Sequence, residues 1–142
     1  MTDIMRPDDL KKITEDAGMA AAKEALAKHK KHEDEEKALH DAFMSRQIHP
    51  QVKERVNAAV SAAAKNGLHE VKVITFPAEW LNDGGRRINN NEPDWKDSLS
   101  GFAKRAYDYF EKELKPLGYT TRVQVLSYPG GMLGDIGMFL KW

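Results

Sequence analysis

The chain has 142 residues, no cysteine, and equal numbers of acidic and basic side chains, 22 of each. This length supports one domain with its own hydrophobic core, and a hydrophobic content of 41% argues against a wholly disordered chain. The lack of cysteine excludes disulfides, thiolate metal ligands and cysteine nucleophiles. The neutral charge balance supplies no overall positive field for nucleic acid, so nucleic-acid binding is the least favoured function.

No stretch of the sequence approaches the roughly 18 consecutive apolar residues that a membrane-spanning helix requires. The first residues carry no cationic patch followed by an apolar run, so no secretory signal is visible. We therefore expect a soluble, cytoplasmic protein that has no membrane partner.

The first half of the chain has the composition and spacing of helices. We expect residues 1–6 to form a flexible tail, and residues 7–66 to form about two or three helices that pack on the core or extend from it. Pro7 suits the first position of a helix, because that position needs no backbone N–H donor. The best-defined helix follows Pro50 and ends at Gly67, since glycine accepts the left-handed conformation that caps helices.

A charged stretch at residues 28–37 contains no large apolar side chain. Its cations precede its anions by about four residues, which favours helical ion pairs. The stretch is therefore either an exposed part of one long helix or a polar link between two helices, and we interpret it as helical, with room for a break near His32. Two histidines and two glutamates of this region share one helical face: His29, Glu33, Glu36 and His40. Such a set could bind a divalent metal, but the neighbouring lysines repel a cation, so a solvated face is favoured. We predict no metal and no cofactor.

The second half, residues 67–142, predicts a β-α-β-β unit. Alternating apolar residues mark strands at 68–76, 120–128 and 136–142, and apolar residues at helical spacing mark a helix over 99–117. A right-handed crossover makes the first two strands parallel, and the final hairpin adds an antiparallel strand, at the centre or at an edge. We therefore expect an α+β fold, in one domain overall, with helices packed on a small three-stranded mixed sheet.

The long connection at residues 82–91 combines two glycines, two arginines and four asparagines. Successive glycines can form a nest of backbone N–H groups, and adjacent arginines suit a phosphate or carboxylate. The predicted anion site comprises Gly84, Gly85, Arg86, Arg87, Asn89 and Asn90. The alternative is a connection whose glycines, asparagines and Asp83 only make turns and a helix cap.

No arrangement typical of a catalytic site is visible in the sequence. The serines lie in no Gly-x-Ser-x-Gly motif. The glycine-rich segment at residues 129–134 leads into a predicted strand, whereas phosphate-binding loops lead into a helix. Whether the protein is an enzyme stays open, and a role without catalysis is favoured.

Three functions are compatible with these features. The first is an interaction or self-association module that uses the loop at residues 82–91 and the N-terminal helices, with a protein partner or a homodimer formed through those helices. The second is an enzyme or small-ligand protein that binds an anionic group at residues 84–87. The third is a weak nucleic-acid binder that uses Arg86, Arg87 and nearby lysines.

Overall fold

The computed structural model describes residues 4–142. The chain divides into two compact units, Met1–His40 and Asp41–Trp142. Half of the predicted tail, residues 1–3, lies outside the described residues, and residues 4–6 are exposed and precede the first helix. The predicted domain boundary between residues 66 and 67 stays a prediction. Within residues 4–142, no helix is both long and apolar enough to cross a membrane.

The first helix, α1 (Pro7–Ser45), is continuous, so the charged stretch is part of one long helix and no break occurs near His32. The charged stretch is held in helical form by side chains four residues apart. Nε2 of His29 lies 2.8 Å from Oε1 of Glu33, and Nε2 of His32 lies 3.0 Å from Oε1 of Glu36. Each pair of this kind contributes only about 0.2–0.5 kcal/mol, so the many alanines of α1 supply much of its helical preference.

The α+β fold predicted from the sequence is confirmed, and it lies in residues 41–142. Its helices are α2 (Val52–Lys65), α3 (Arg86–Asn89) and α4 (Gly101–Tyr109), and its strands are β1 (Glu70–Pro77), β2 (Thr120–Val125) and β3 (Asp135–Lys141). Helix α4 continues through a wider π-helical turn and a tighter 3₁₀ turn as far as Leu117. Gly118 follows with a φ of +106°, which is the left-handed conformation expected at a helix end.

Strand β3 lies in the middle of the sheet and pairs antiparallel with both β1 and β2. The sheet is therefore antiparallel throughout rather than mixed. Strands β1 and β2 run in the same direction, as the crossover predicts, but β3 separates them and no parallel pair forms. As a consequence, both β1 and β2 are edge strands.

A β-bulge interrupts β1 between Lys72 and Ile74. The bulge adds one residue to β1, so Val71, Ile74 and Phe76 all lie opposite buried residues of β3. Those partners are Leu140, Met138 and Ile136. The bulge thus keeps the apolar side chains of β1 on the core face along the whole strand.

The core of residues 41–142 is built from large apolar side chains of the sheet, the helices and the connections. The largest fully buried apolar residues are Phe76, Leu99, Ile136, Met138 and Leu140. Phe43, near the end of α1, packs on Phe76 and Trp80 with ring centroids 5.4 and 4.9 Å apart. On the opposite face of the sheet, the Arg122 guanidinium lies 2.9 Å from the Glu70 carboxylate and 4.4 Å from the centre of the Phe139 ring.

Candidate functional site

The connection at residues 82–91 folds around the side chain of Asp83. Its carboxylate accepts hydrogen bonds from the backbone N–H of Gly85 at 2.9 Å and from that of Arg87 at 3.0 Å. Gly85 has a φ of +88°, and a Cβ there would lie 3.1 Å from side-chain atoms of Ala78 and Ile136. The N–H of Gly84 donates instead to the carbonyl of Leu81, so the N–H groups of the two glycines do not converge on one acceptor, and a carboxylate of the same chain occupies that of Gly85.

The two arginines of the predicted anion site also face carboxylates. Nη1 of Arg86 donates to Glu92 at 3.1 Å, and Nε of Arg87 lies 3.6 Å from Asp94. An added anion would compete with these groups and with Asp83. The anion site stays a prediction, and the local hydrogen bonds favour the alternative in which this segment makes turns and a cap.

The asparagines of the same segment lie nearer to β2. The Tyr128 hydroxyl, just beyond β2, donates to Oδ1 of Asn89 at 2.9 Å. Ile88 is buried in the core and fixes α3 beside the strand, while Asn90 is exposed. Of the six predicted site residues, the structure therefore places Gly84, Gly85, Arg86 and Arg87 in a turn paired with carboxylates of its own chain, Asn89 beside Tyr128, and Asn90 at the exposed surface.

A groove runs along the outer edge of β2, between the strand and residues 88–95. It consists of two adjoining cavities of about 250 and 400 Å³. Both are lined by Ile88, Asn91, Arg122 and Val123. We call it the β2-edge groove. Trp95 lines the first cavity, and Tyr128 lines the second.

The hydrogen-bond pattern of the sheet determines which backbone groups face this groove. The N–H of Leu126 donates to the carbonyl of Asp135 at 2.7 Å, so in the observed register alternate residues, including Arg122 and Gln124, bond to β3. The N–H and C=O groups of Thr121, Val123 and Val125 therefore point away from β3. Across residues 4–142, no backbone hydrogen bond outside the strand ladders reaches these outward groups.

An edge strand with unpaired donors and acceptors is a template for another extended chain. The groove adds side-chain amides from Asn89 and Asn91 and apolar surface from Ile88 and Trp95. Its ionic groups are internally paired, because Arg122 contacts Glu70 and Glu92 contacts Arg86. The groove therefore combines unpaired main-chain groups with side chains that add no unpaired charge.

The sequence indicated the β2 strand but not its exposed edge. A usable signal was present, since β2 reads Thr-Thr-Arg-Val-Gln-Val whereas β3 holds an apolar run from Ile136 to Leu140. Polar residues are tolerated at an edge more readily than in a central strand. The position of the groove itself depends on α3, whose contact with β2 joins segments more than 30 residues apart.

The histidine and glutamate set on α1 is divided between separate pairs. His29 contacts Glu33, and Glu36 contacts His32. Within the described residues 4–142, no group of three histidine, aspartate or glutamate side chains is arranged to hold a metal ion. The solvated-face interpretation stays a prediction.

Comparison with known proteins adds no family to this description. No protein-family model matches the chain, and no curated protein or solved structure shows significant similarity to it.

Proposed function

We propose that the protein is an interaction module that binds an extended segment of a partner protein along the outer edge of β2. One observation carries this proposal: the outward N–H and C=O groups of Thr121, Val123 and Val125 are unpaired where a groove runs beside them. In strand addition, main-chain hydrogen bonds supply affinity and the adjoining pockets supply specificity.

The groove favours a particular kind of segment. Its arginine and its glutamate are already neutralised by partners of the same chain, so a segment without net charge is preferred. The amides of Asn89 and Asn91 offer donors and acceptors to polar side chains, and Trp95 offers an apolar contact. Since side chains alternate along a strand, a segment that alternates polar and apolar residues fits best.

The test removes one outward donor without breaking the sheet. In Thr121→Pro the lost N–H faces the groove, so the ladder to β3 keeps its hydrogen bonds. Thr75→Pro is the matched control, because Thr75 is exposed on β1 and its N–H also points away from β3. Both variants remove an outward N–H from an edge strand, but only Thr121 borders the β2-edge groove.

Random 12-residue peptides displayed on phage are selected against the whole chain, and the selected peptides are synthesised and titrated. We expect Thr121→Pro to lose at least about tenfold in affinity, and Thr75→Pro to bind as the unmodified chain does. Equal binding to Thr121→Pro, or a selection that yields no binder, contradicts the proposal.

Self-association through the N-terminal helix is a second candidate, motivated by exposed apolar side chains on α1. Leu10, Ile13 and Leu26 are 47%, 53% and 70% exposed. Light scattering of the whole chain tests this candidate, together with Leu26→Glu. We expect the unmodified chain to form a dimer and Leu26→Glu to be a monomer. The control Lys23→Glu, at another exposed residue of α1, should leave the dimer intact. A chain that is monomeric at all concentrations contradicts self-association and leaves the peptide-binding proposal untouched.

A further inference from the structure

A second cleft lies at the other edge of the sheet, where α2 and α4 meet β1. Its volume is about 390 Å³, within the range of small-molecule sites. The inner lining is apolar, with Val52 and Val56 from α2 and Phe102 and Phe110 opposite them. We call it the basic cleft, because all of its ionisable lining residues are basic: Arg46, His49, Arg55 and Lys72.

The absence of acidic partners distinguishes this cleft from the loop at residues 82–91. Within residues 4–142, no ion pair with Asp or Glu involves Arg46, Arg55 or Lys72. The guanidinium of Arg46 instead lies 4.3 Å above the ring of Phe102. The cleft therefore presents an apolar interior below a rim of unneutralised positive charge.

The contacts of His49 leave a donor of this rim without a matching acceptor on the ring. The backbone N–H of Gln51 donates to Nδ1 of His49 at 3.0 Å, and Nη2 of Arg55 lies 3.2 Å from Nε2. A neutral imidazole carries a hydrogen on one of its two nitrogens, so it cannot accept from both donors. When Nδ1 accepts from Gln51, the hydrogen lies on Nε2 and faces the Arg55 donor. An anionic oxygen beside Nε2 and Arg55 would accept from both groups.

We propose that the basic cleft binds an amphipathic carboxylate, a molecule with an aliphatic body and one carboxylate head. The head accepts hydrogen bonds from Arg55 and from Nε2 of His49, and Arg46 and Lys72 add attraction. The aliphatic body lies between Val52, Val56 and the two phenylalanines. An apolar lining with a few convergent polar groups is the usual composition of a small-ligand site. The planar fork of arginine matches a carboxylate or a phosphate, and the two converging donors here, Arg55 and Nε2 of His49, equal in number the two oxygens of a carboxylate.

Octanoate is the probe, and titration calorimetry on the whole chain is the measurement. Acetate tests the head alone, and 1-octanol tests the body alone. Octyl phosphate tests whether a different anionic head binds equally well. We expect octanoate to bind at least about tenfold more tightly than each of these three compounds. Equal binding of 1-octanol or of octyl phosphate contradicts recognition of a carboxylate.

Arg55→Gln removes the charge at the proposed head position. Arg55 is exposed, so the substitution leaves the core intact. Lys65→Gln is the control, since it removes one positive charge from the same helix at a residue outside the cleft lining. We expect Arg55→Gln to weaken octanoate binding about tenfold and Lys65→Gln to leave it unchanged. Unchanged binding to Arg55→Gln, or no binding of octanoate to the unmodified chain, overturns the proposal.

Discussion

The two units of the chain differ in what their helices bury. From residue 4 to residue 39 every side chain is exposed, whereas residues 41–142 contain all of the buried core residues. The two units differ in composition, because the first consists largely of charged residues and alanine with only scattered large apolar side chains, whereas the second carries most of the Phe, Ile, Leu and Val of the chain. Burial contributes roughly 25 cal/mol per Å² of apolar surface, so alanine contributes little. The helical preference of its residues and its ion pairs stabilise the first unit, whereas the packing of buried side chains stabilises the second.

The largest contrast is expected between two apolar residues four positions apart on α1. Phe43 is 8% exposed and packs on Phe76 and Trp80, whereas Leu39 is 63% exposed. We expect Phe43→Ala to lower the free energy of unfolding by about 3–5 kcal/mol, since it leaves a cavity in the core. Leu39→Ala should change it by less than about 0.5 kcal/mol. Urea unfolding followed by tryptophan fluorescence measures both, and comparable losses would contradict the division into two units.

A smaller contrast is expected between two glycines. A Cβ on Gly101 would lie 2.9 Å from the carbonyl oxygen of Phe43, and Gly101 has a φ of +55°, whereas a Cβ on Gly18 meets nothing within 4 Å. Gly101→Ala should lower the free energy of unfolding by roughly 1–3 kcal/mol. Gly18→Ala should instead stabilise the helix locally by up to about 1 kcal/mol, and the helical content should rise. Circular dichroism and urea unfolding test these opposite signs, and a stabilising Gly101→Ala would contradict the tight packing of the second unit.

The smallest effect is expected at the hydroxyl of Tyr109. This oxygen is buried and has no hydrogen-bond partner among residues 4–142. Removing an unpaired buried hydroxyl relieves its desolvation cost, so Tyr109→Phe should raise the free energy of unfolding by up to about 1 kcal/mol. Tyr128→Phe is the control with the opposite sign, because that hydroxyl donates to Asn89. A destabilised Tyr109→Phe in the same urea experiment would show that the hydroxyl is bonded in solution.

The fold was largely predictable because its local signals agree. Pro50 and Gly67 bracket α2, the alternating apolar residues mark all three strands, and the apolar spacing over residues 99–117 marks α4 and its continuation. The sequence left open whether α1 breaks near His32, and it does not, because a charged segment needs no apolar face to remain helical when alanine precedes it and ion pairs span it. A lack of core residues indicates exposure, and it does not by itself end a helix.

Strand order and the candidate sites were less predictable because they depend on contacts distant in sequence. The crossover rule gives the directions of β1 and β2, but it does not state that β3 inserts between them. The loop at residues 82–91 was identified, yet the pairing of its arginines depends on Glu92 and Asp94, which lie just beyond it. The basic cleft was missed because its charges come from separate segments, Arg55 on α2 and Lys72 on β1.

Amide hydrogen exchange along β2, resolved residue by residue by NMR, tests the open edge most directly. In the free chain we expect the outward N–H groups of Thr121 and Val123 to exchange at least about tenfold faster than those of Arg122 and Gln124, which bond to β3. Addition of a selected peptide should slow the outward pair and leave the inward pair unchanged. Equal protection of all four amides in the free chain would show that the edge is already covered, and would contradict a peptide-binding role at β2.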